Sequence, residues 1–272
     1  KSQGFEVDIA PVDEKGFVDV RVLASLIRPD TTLVSIMAVN NEIGSIQPIE
    51  AISELLADKP TISFHVDAVQ ALAKIPTEKY LTDRVDFATF SSHKFHGVRG
   101  VGFVYIKSGK KITPLLTGGG QEGDYRSTTE NVAGIAATAK ALRLSMEKLA
   151  IFASKTGQIK TVIRQALLDY PDIFVFSGEE DFAPHILTFG IKGVRGEVIV
   201  HAFEDYDIFI STTSACSSKA GKPAGTLIAM GVDKDKAQSA VRISLDLEND
   251  MSQVEQFLTK LKLIYNQTRK VR

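Results

Sequence analysis

The stretch "VDFATFSSHKFHG", residues 85–97, decides the fold. Val85 to Ser92 reads as a strand, rich in β-branched and aromatic residues, and it breaks off into a lysine set between two histidines. Upstream, "TISFHVD" (61–67) is a second strand, and "TLVSIMAV" (32–39) is a third. The latter is nearly continuous in apolar residues, which predicts burial on both faces. Between them Pro48 opens a helix with an apolar face of Ile49, Ile52, Leu55 and Leu56, and Ala68–Lys74 is expected to form a short helix. Strand, helix, strand, helix, strand is the pattern of a mostly parallel α/β sheet. "GVGFVYI" (100–106) adds a strand in hairpin relation to 85–92, and a long Ala-rich helix follows "TEN", capped by Thr128 or Thr129.

After about residue 150 the pattern changes. A helix over 153–169 leads to short strands at "FVFSG", "HILTFGI" and "IFISTT", with helices at "GEVIVHAFED" and "PAGTLIAMG". A final helix carries Met251, Val254, Leu258, Leu261 and Tyr265 at helical spacing, a core stripe. The expected fold class is therefore α/β: a mostly parallel sheet in a large domain (1–150) and a smaller α+β C-terminal domain (151–272). The opening "GFEVDIAPVDEKGFVD" reads as a strand and its turn, entered mid-domain.

Composition narrows the function. Lys plus Arg number 32 against 33 Asp plus Glu, so no basic stripe suggests direct binding of nucleic acid. One cysteine allows no internal disulfide and no cysteine-based zinc cluster, and no metal is expected. No apolar run reaches the length needed to span a bilayer and no signal-peptide pattern opens the chain, so a cytoplasmic setting is expected.

Ligands of open parallel sheets collect beyond the carboxyl ends of the strands. Here those ends carry Asn40, Asn41 and Glu42, then His65, Asp67 and Gln70, then Ser91, Ser92, His93 and Lys94. Singly, such an Asn is a turn residue and such an Asp a helix cap. Three successive strand ends with functional groups point to a site. A partly desolvated lysine after a buried strand can condense with an aldehyde cofactor. Pyridoxal phosphate needs that amine, a carboxylate for its ring nitrogen, a partner for its phenolic oxygen and a phosphate cradle. Lys94 supplies the amine and Asp67 the carboxylate. Asn41 or Gln70 suits the phenolic oxygen, and Ser91 with His93 the phosphate. The lone Cys216 sits in "STTSACSSKAG" (211–221), where small polar neighbours favour a loop that is cheaply reordered.

"VNNEIG", "HVDAVQ", "SSHKFHG", "GGGQEGDYRSTTENVAGI" and "STTSACSS" follow one another in the order of a known family. The chain resembles the cysteine desulfurases of the NifS/IscS type, in the class V aminotransferase branch of fold-type-I pyridoxal-phosphate enzymes, from near residue 1 to about 265. The resemblance implies Lys94 as the cofactor lysine and Asp67 as the ring-nitrogen partner. It places Asn41 and Gln70 at the ring oxygen, and Ser91 and His93 at the phosphate. Thr129 would reach the cofactor of a second subunit, hence a homodimer. Arg242 would clamp the carboxylate of L-cysteine, at a strand start in "AVRISL", with Asn41 also at the substrate. Cys216 would take up sulfur as a persulfide, leaving L-alanine, and deliver it to an acceptor protein for iron–sulfur assembly, tRNA thiolation or a thiamine pathway.

The family's N-terminal segment, with its phosphate loop and ring-stacking histidine, has no counterpart in this sequence, and a truncated chain is expected. Thr128 stands where the family has glycine, Gly123 and Asp124 replace a basic position, and "SLDLEND" removes a nearby arginine. Related readings are a selenocysteine lyase or aminotransferase of the same class, or a non-catalytic fragment that binds a sulfur acceptor.

Overall fold

The computed structural model describes residues 4–213 and 225–270. Where the sequence suggests one break, after residue 150, the chain forms two interleaved compact units: Asp30–Ala38 with Ile49–Leu149, and Lys1–Pro29 with Val39–Pro48 and Ala150–Arg272.

The opening stretch is an isolated Val12–Val18 bridge around a turn rather than a strand. Asp13 Oδ1 accepts the Lys15 and Phe17 N–H groups there, each at 2.9 Å. Helix α1 (Val20–Leu26) follows, its first turn capped by Asp19, which accepts from Arg21 and Val22 N–H.

The 30–149 unit is built on a four-stranded sheet in the order β1 (Leu33–Met37), β2 (Ser63–Asp67), β3 (Phe87–Ser91), β4 (Gly102–Ile106). The first three strands are parallel and β4 is antiparallel to β3. Helix α2 (Ile49–Leu55) buries Ile49 and Ile52. The crossover from β2 to β3 departs from expectation: Ala68–Lys74 is a run of turns, because Ala73 takes a left-handed φ of 59° that no helix continues through. Strand β1 departs as well. Only Val34 is buried, while Leu33 and Met37 are 55% and 41% exposed. Among the described residues, cover lies over one sheet face, that of Val34, Phe64, Val66, Ala88 and Phe90. Helix α3 (Val132–Glu147) is capped by Asn131, whose Oδ1 accepts Gly134 N–H at 3.0 Å, and not by Thr128 or Thr129.

The other unit holds α4 (Leu149–Leu168), β5 (Ile173–Val175), β6 (Ile186–Ile191), α5 (Gly196–Glu204), β7 (Ser211–Thr212), α6 (Gly225–Ala229), α7 (Lys234–Gln238), β8 (Ala240–Ser244) and α8 (Met251–Lys270). Its sheet runs β5-β6-β8-β7, antiparallel throughout. Leu167, Leu187, Phe189, Ile199, Phe203, Val241 and Leu261 form its core. On α8 the buried stripe includes Phe257 and Ile264, while Met251 is exposed.

Val39–Pro48 is stitched into this unit by Ala183, whose N–H donates to Gly44 O at 2.7 Å, and by Ile46 N–H donating to Asp181 O at 2.8 Å. Buried Lys160 braces the same turn by donating to Ala183 O at 2.9 Å. Burial, helped by Arg164 and opposed by Glu179, lowers its pKa to about 8. An unfolded lysine titrates near 10.4, so between those pH values the unfolded chain binds the extra proton and stability rises with pH. Denaturant unfolding from about pH 7 to about pH 10 should show that rise in the parent and a flatter profile in Lys160→Met. Equal pH dependence in both would contradict the assignment.

Candidate active site

Asp67 ends β2, and its register partners are Met37 of β1 and Thr89 of β3. Side chains alternate along a strand, so His65, Asp67, Thr89 and Ser91 share one face while Phe64, Val66, Ala88 and Phe90 are buried on the other. Asp67 is exposed, and its Oδ1 accepts Val69 N–H at 3.0 Å. It is therefore a turn cap as well as a carboxylate at the sheet edge. Gln70 is half-buried in the turn that follows.

Two positions before Asp67, the His65 ring lies between hydroxyls: Nδ1 is 2.7 Å from Ser35 Oγ, and Nε2 is 3.1 Å from Thr89 Oγ1. Burial pulls its pKa below the ordinary histidine range, against the pull of the Asp67 charge. Ser35 and Thr89 escaped the sequence reading. Their only local signal is the period of two that puts them on the Asp67 face.

Ser91 ends β3, and Ser92–Phe95 wind into a single 3₁₀ turn that carries His93, which is exposed, and Lys94, which is half-buried. The turn is held from several sides. Ser92 N–H donates to Val101 O and Gly97 N–H to Ser92 O, both at 3.0 Å. The Ser92 and Thr138 hydroxyls meet at 2.9 Å, and Ser145 Oγ donates to Phe95 O at 3.1 Å. Phe95 is buried, and His96 closes the turn in the left-handed region. Lys94 is thus presented by a rigid stub just beyond the edge where Asp67 stands. Thr129 is exposed in the loop before α3, a loop turned by Gly118, Gly120 and Gly123 at positive φ.

In the other unit, Asn41 and Arg242 meet. Arg242 Nη1 donates to Asn41 O at 2.7 Å and Nε donates to Ser244 Oγ at 3.2 Å. Arg242 lies in the middle of β8, paired on one side with Thr188 and on the other with Ser211, and not at a strand start. Cys216 lies outside the described residues. Among the described residues, no group of three or more His, Cys, Asp or Glu is placed to hold a metal ion, and no helix is long and apolar enough to cross a membrane.

The Aminotransferase class-V family model matches residues 1–257. A NifS/IcsS protein homolog of Lactobacillus delbrueckii subsp. bulgaricus is 51% identical over 269 residues, 98% of this chain and 70% of that protein. Cysteine desulfurase IscS of Clostridium botulinum is 37% identical over 276 residues, covering 100% of this chain and 68% of its own. A solved NifS-like protein superposes with a TM-score of 0.89 at 38% identity, over 97% of this chain and 69% of the other. The chain belongs to the class V aminotransferase family, among its NifS/IscS cysteine desulfurases. Its fold is that of the fold-type-I pyridoxal-phosphate enzymes, and the family depends on that cofactor.

The donor set of the 30–149 unit fits the group. A lysine, an exposed carboxylate, a serine hydroxyl and an imidazole stand at the carboxyl edge of adjacent parallel strands, where such ligands collect.

The Lys94 turn generates a prediction. A Cβ at Gly97 would lie 1.9 Å from Ser92 Oγ and 3.1 Å from Ser92 Cβ. Gly97→Ala should cost about 1–3 kcal/mol of stability through this overpacking and weaken pyridoxal phosphate retention. Ser92→Ala in the same chain should recover part of both, since it removes the nearest atom. Denaturant titration and cofactor stoichiometry check this. Strictly additive losses would contradict it.

Proposed function

We propose that this enzyme is a pyridoxal-phosphate-dependent cysteine desulfurase that converts L-cysteine to L-alanine, with Lys94, Asp67 and Cys216 at the centre of the reaction. The observation that carries the assignment is the shared edge of β2 and β3, where Asp67 and Ser91 lie on one sheet face and the turn bearing Lys94 begins. When bound, the cofactor supplies an electron sink for the substrate's α-carbon.

Lys94 would hold the cofactor through its amine and would move the proton at the substrate's α-carbon. Asp67 would partner the ring nitrogen, while Asn41 and Gln70 would hold the ring oxygen. Ser91 and His93 hold the phosphate. Arg242 binds the substrate carboxylate, a task for which a planar guanidinium suits better than an ammonium. Its bonds to Asn41 O and Ser244 Oγ pre-orient it.

The Cys216 thiolate attacks the substrate sulfur. The substrate's C–S bond breaks, its electron pair stays with carbon, and a proton taken there completes alanine. Cys216 keeps the sulfur as a persulfide, ready for a thiolate of an acceptor. Cys216 is four residues beyond Thr212, so covalent geometry alone tethers it within about 14 Å of that strand end.

The assembly we propose is a cytoplasmic homodimer, with Thr129 serving the second subunit's cofactor. Apolar residues left exposed in the loop that carries it and at the start of α3, Leu115 at 95% and Val132 at 72%, support a protein partner for this part of the chain. The sulfur acceptor is a protein of iron–sulfur assembly or of tRNA thiolation.

Two variants test the assignment. Lys94→Ala should lose the visible absorbance of lysine-bound pyridoxal and drop turnover by more than about a thousandfold, about 4 kcal/mol. Cys216→Ser should keep that absorbance and its response to L-cysteine, yet release neither sulfide nor alanine, because a hydroxyl does not attack sulfur. Full desulfurase turnover by the serine variant would contradict the role of Cys216, and unchanged absorbance in Lys94→Ala that of the lysine.

A further inference from the structure

Ser35, His65, Asp67 and Thr89 share one face of the parallel strands in the 30–149 unit. His65 is the register partner of Ser35 on β1, and its Nδ1 lies 2.7 Å from Ser35 Oγ. Its Nε2 lies 3.1 Å from Oγ1 of Thr89, which is the register partner of Asp67 and not of His65. The imidazole therefore leans along the sheet toward the Asp67 rung, with both nitrogens engaged by hydroxyls. The Asp67 carboxylate takes the Val69 N–H at 3.0 Å.

Residues i and i+2 of a strand stand on one face about 7 Å apart at Cα, close enough for an imidazole and a carboxylate to pair. A pair of that kind favours the charged form of each partner. Asp67 does pull His65 that way, yet burial prevails and its pKa lies below the ordinary histidine range. From the strands on either side it is met by Ser35 and Thr89, which do not titrate, so Asp67 is the charge that acts on it.

We propose that Ser35 and Thr89 are positioning residues: they hold the His65 imidazole across the sheet and off the Asp67 carboxylate, leaving that carboxylate to the ring nitrogen of pyridoxal phosphate. This rests on the reading of Asp67 as the ring-nitrogen partner. Hydroxyls suit the task because each donates to a bare ring nitrogen or accepts from a protonated one, so they fix the ring without adding charge. Through the same bond the Thr89 hydroxyl, one strand over from Asp67, is itself occupied. A ring released from this clamp gains a proton and turns to Asp67, where it competes with the cofactor.

The test reads His65 directly. The chain holds five histidines, so NMR of isotope-labelled histidine resolves the rings, and His65→Gln assigns the signal. In the full chain without added cofactor, Ser35→Ala with Thr89→Val should move the His65 titration to higher pH. Adding Asp67→Asn should cancel that rise. Ser35 is exposed and valine matches threonine in shape on a strand, so the fold should tolerate both changes. The double variant should hold pyridoxal phosphate up to about fivefold more weakly, the size of effect that a partly exposed ion pair commands. The loss should be larger at about pH 6 than at about pH 8, where the imidazole is neutral. His65→Gln in that background should restore the affinity to within about twofold of the parent, since the amide carries no charge to offer Asp67.

An unchanged His65 titration in the double variant would overturn the proposal. So would a loss of cofactor affinity that His65→Gln fails to restore, which would assign the two hydroxyls a purely structural role. Undiminished affinity in Asp67→Ala would overturn the reading of Asp67 beneath it, whatever His65 does.

Discussion

One rung of parallel pairing, Met37 beside Asp67 beside Thr89, organises the candidate site. Parallel strands end at a common edge, and they need crossovers long enough to bring the chain back to that edge each time. The rung therefore gathers, along one edge, groups that are far apart in sequence. Its stability comes from the opposite face, where Phe64, Val66 and Ala88 are fully buried and Phe90 nearly so. The face that bears His65, Asp67 and Ser91 is left to polar groups. Asp67 stands exposed on that face, its Oδ1 accepting the Val69 N–H.

Rigidity on this edge comes from short-range closure. The 3₁₀ turn carrying Lys94 is held by its own backbone, by Thr138 and Ser145 of α3, and by a glycine that leaves room for Ser92. In the other unit the same economy is applied to Arg242. Its place in the middle of an antiparallel strand fixes the backbone, and two hydrogen bonds fix the guanidinium. A guanidinium held in this way loses less entropy when it takes a further partner than a free one does.

Much of this was legible in the sequence because its causes are local. The strand-forming composition of 61–67 and 85–92 placed both strands, and the break at "SSHKFHG" marked the strand end where Lys94 stands. Other features were not legible, for physical reasons that differ. Ala68–Lys74 has helix-forming composition, yet Ala73 turns left-handed, a choice set by tertiary context rather than propensity. Apolar "TLVSIMAV" suggested burial on both faces, whereas β1 is covered on one among the described residues. Thr128 and Thr129 are sound caps, but the helix starts later and takes Asn131. The Asn40–Thr226 and Arg242–Asn41 bonds join residues that only the folded chain brings together, and no local pattern announces them. The motifs that carried the family resemblance cover Asn41, Asp67 and Lys94, and they leave Thr226 silent.

The most direct test of this account is to reduce the cofactor-loaded enzyme with borohydride, digest it and map the pyridoxyl group by mass spectrometry. The account predicts a single modified peptide with the group on Lys94, and a sharply lower yield in Asp67→Ala, where the charge opposite the ring nitrogen is gone. A pyridoxyl group on any other lysine, or undiminished labelling spread over several surface lysines, would contradict the claim that the shared edge of β2 and β3 is the cofactor site.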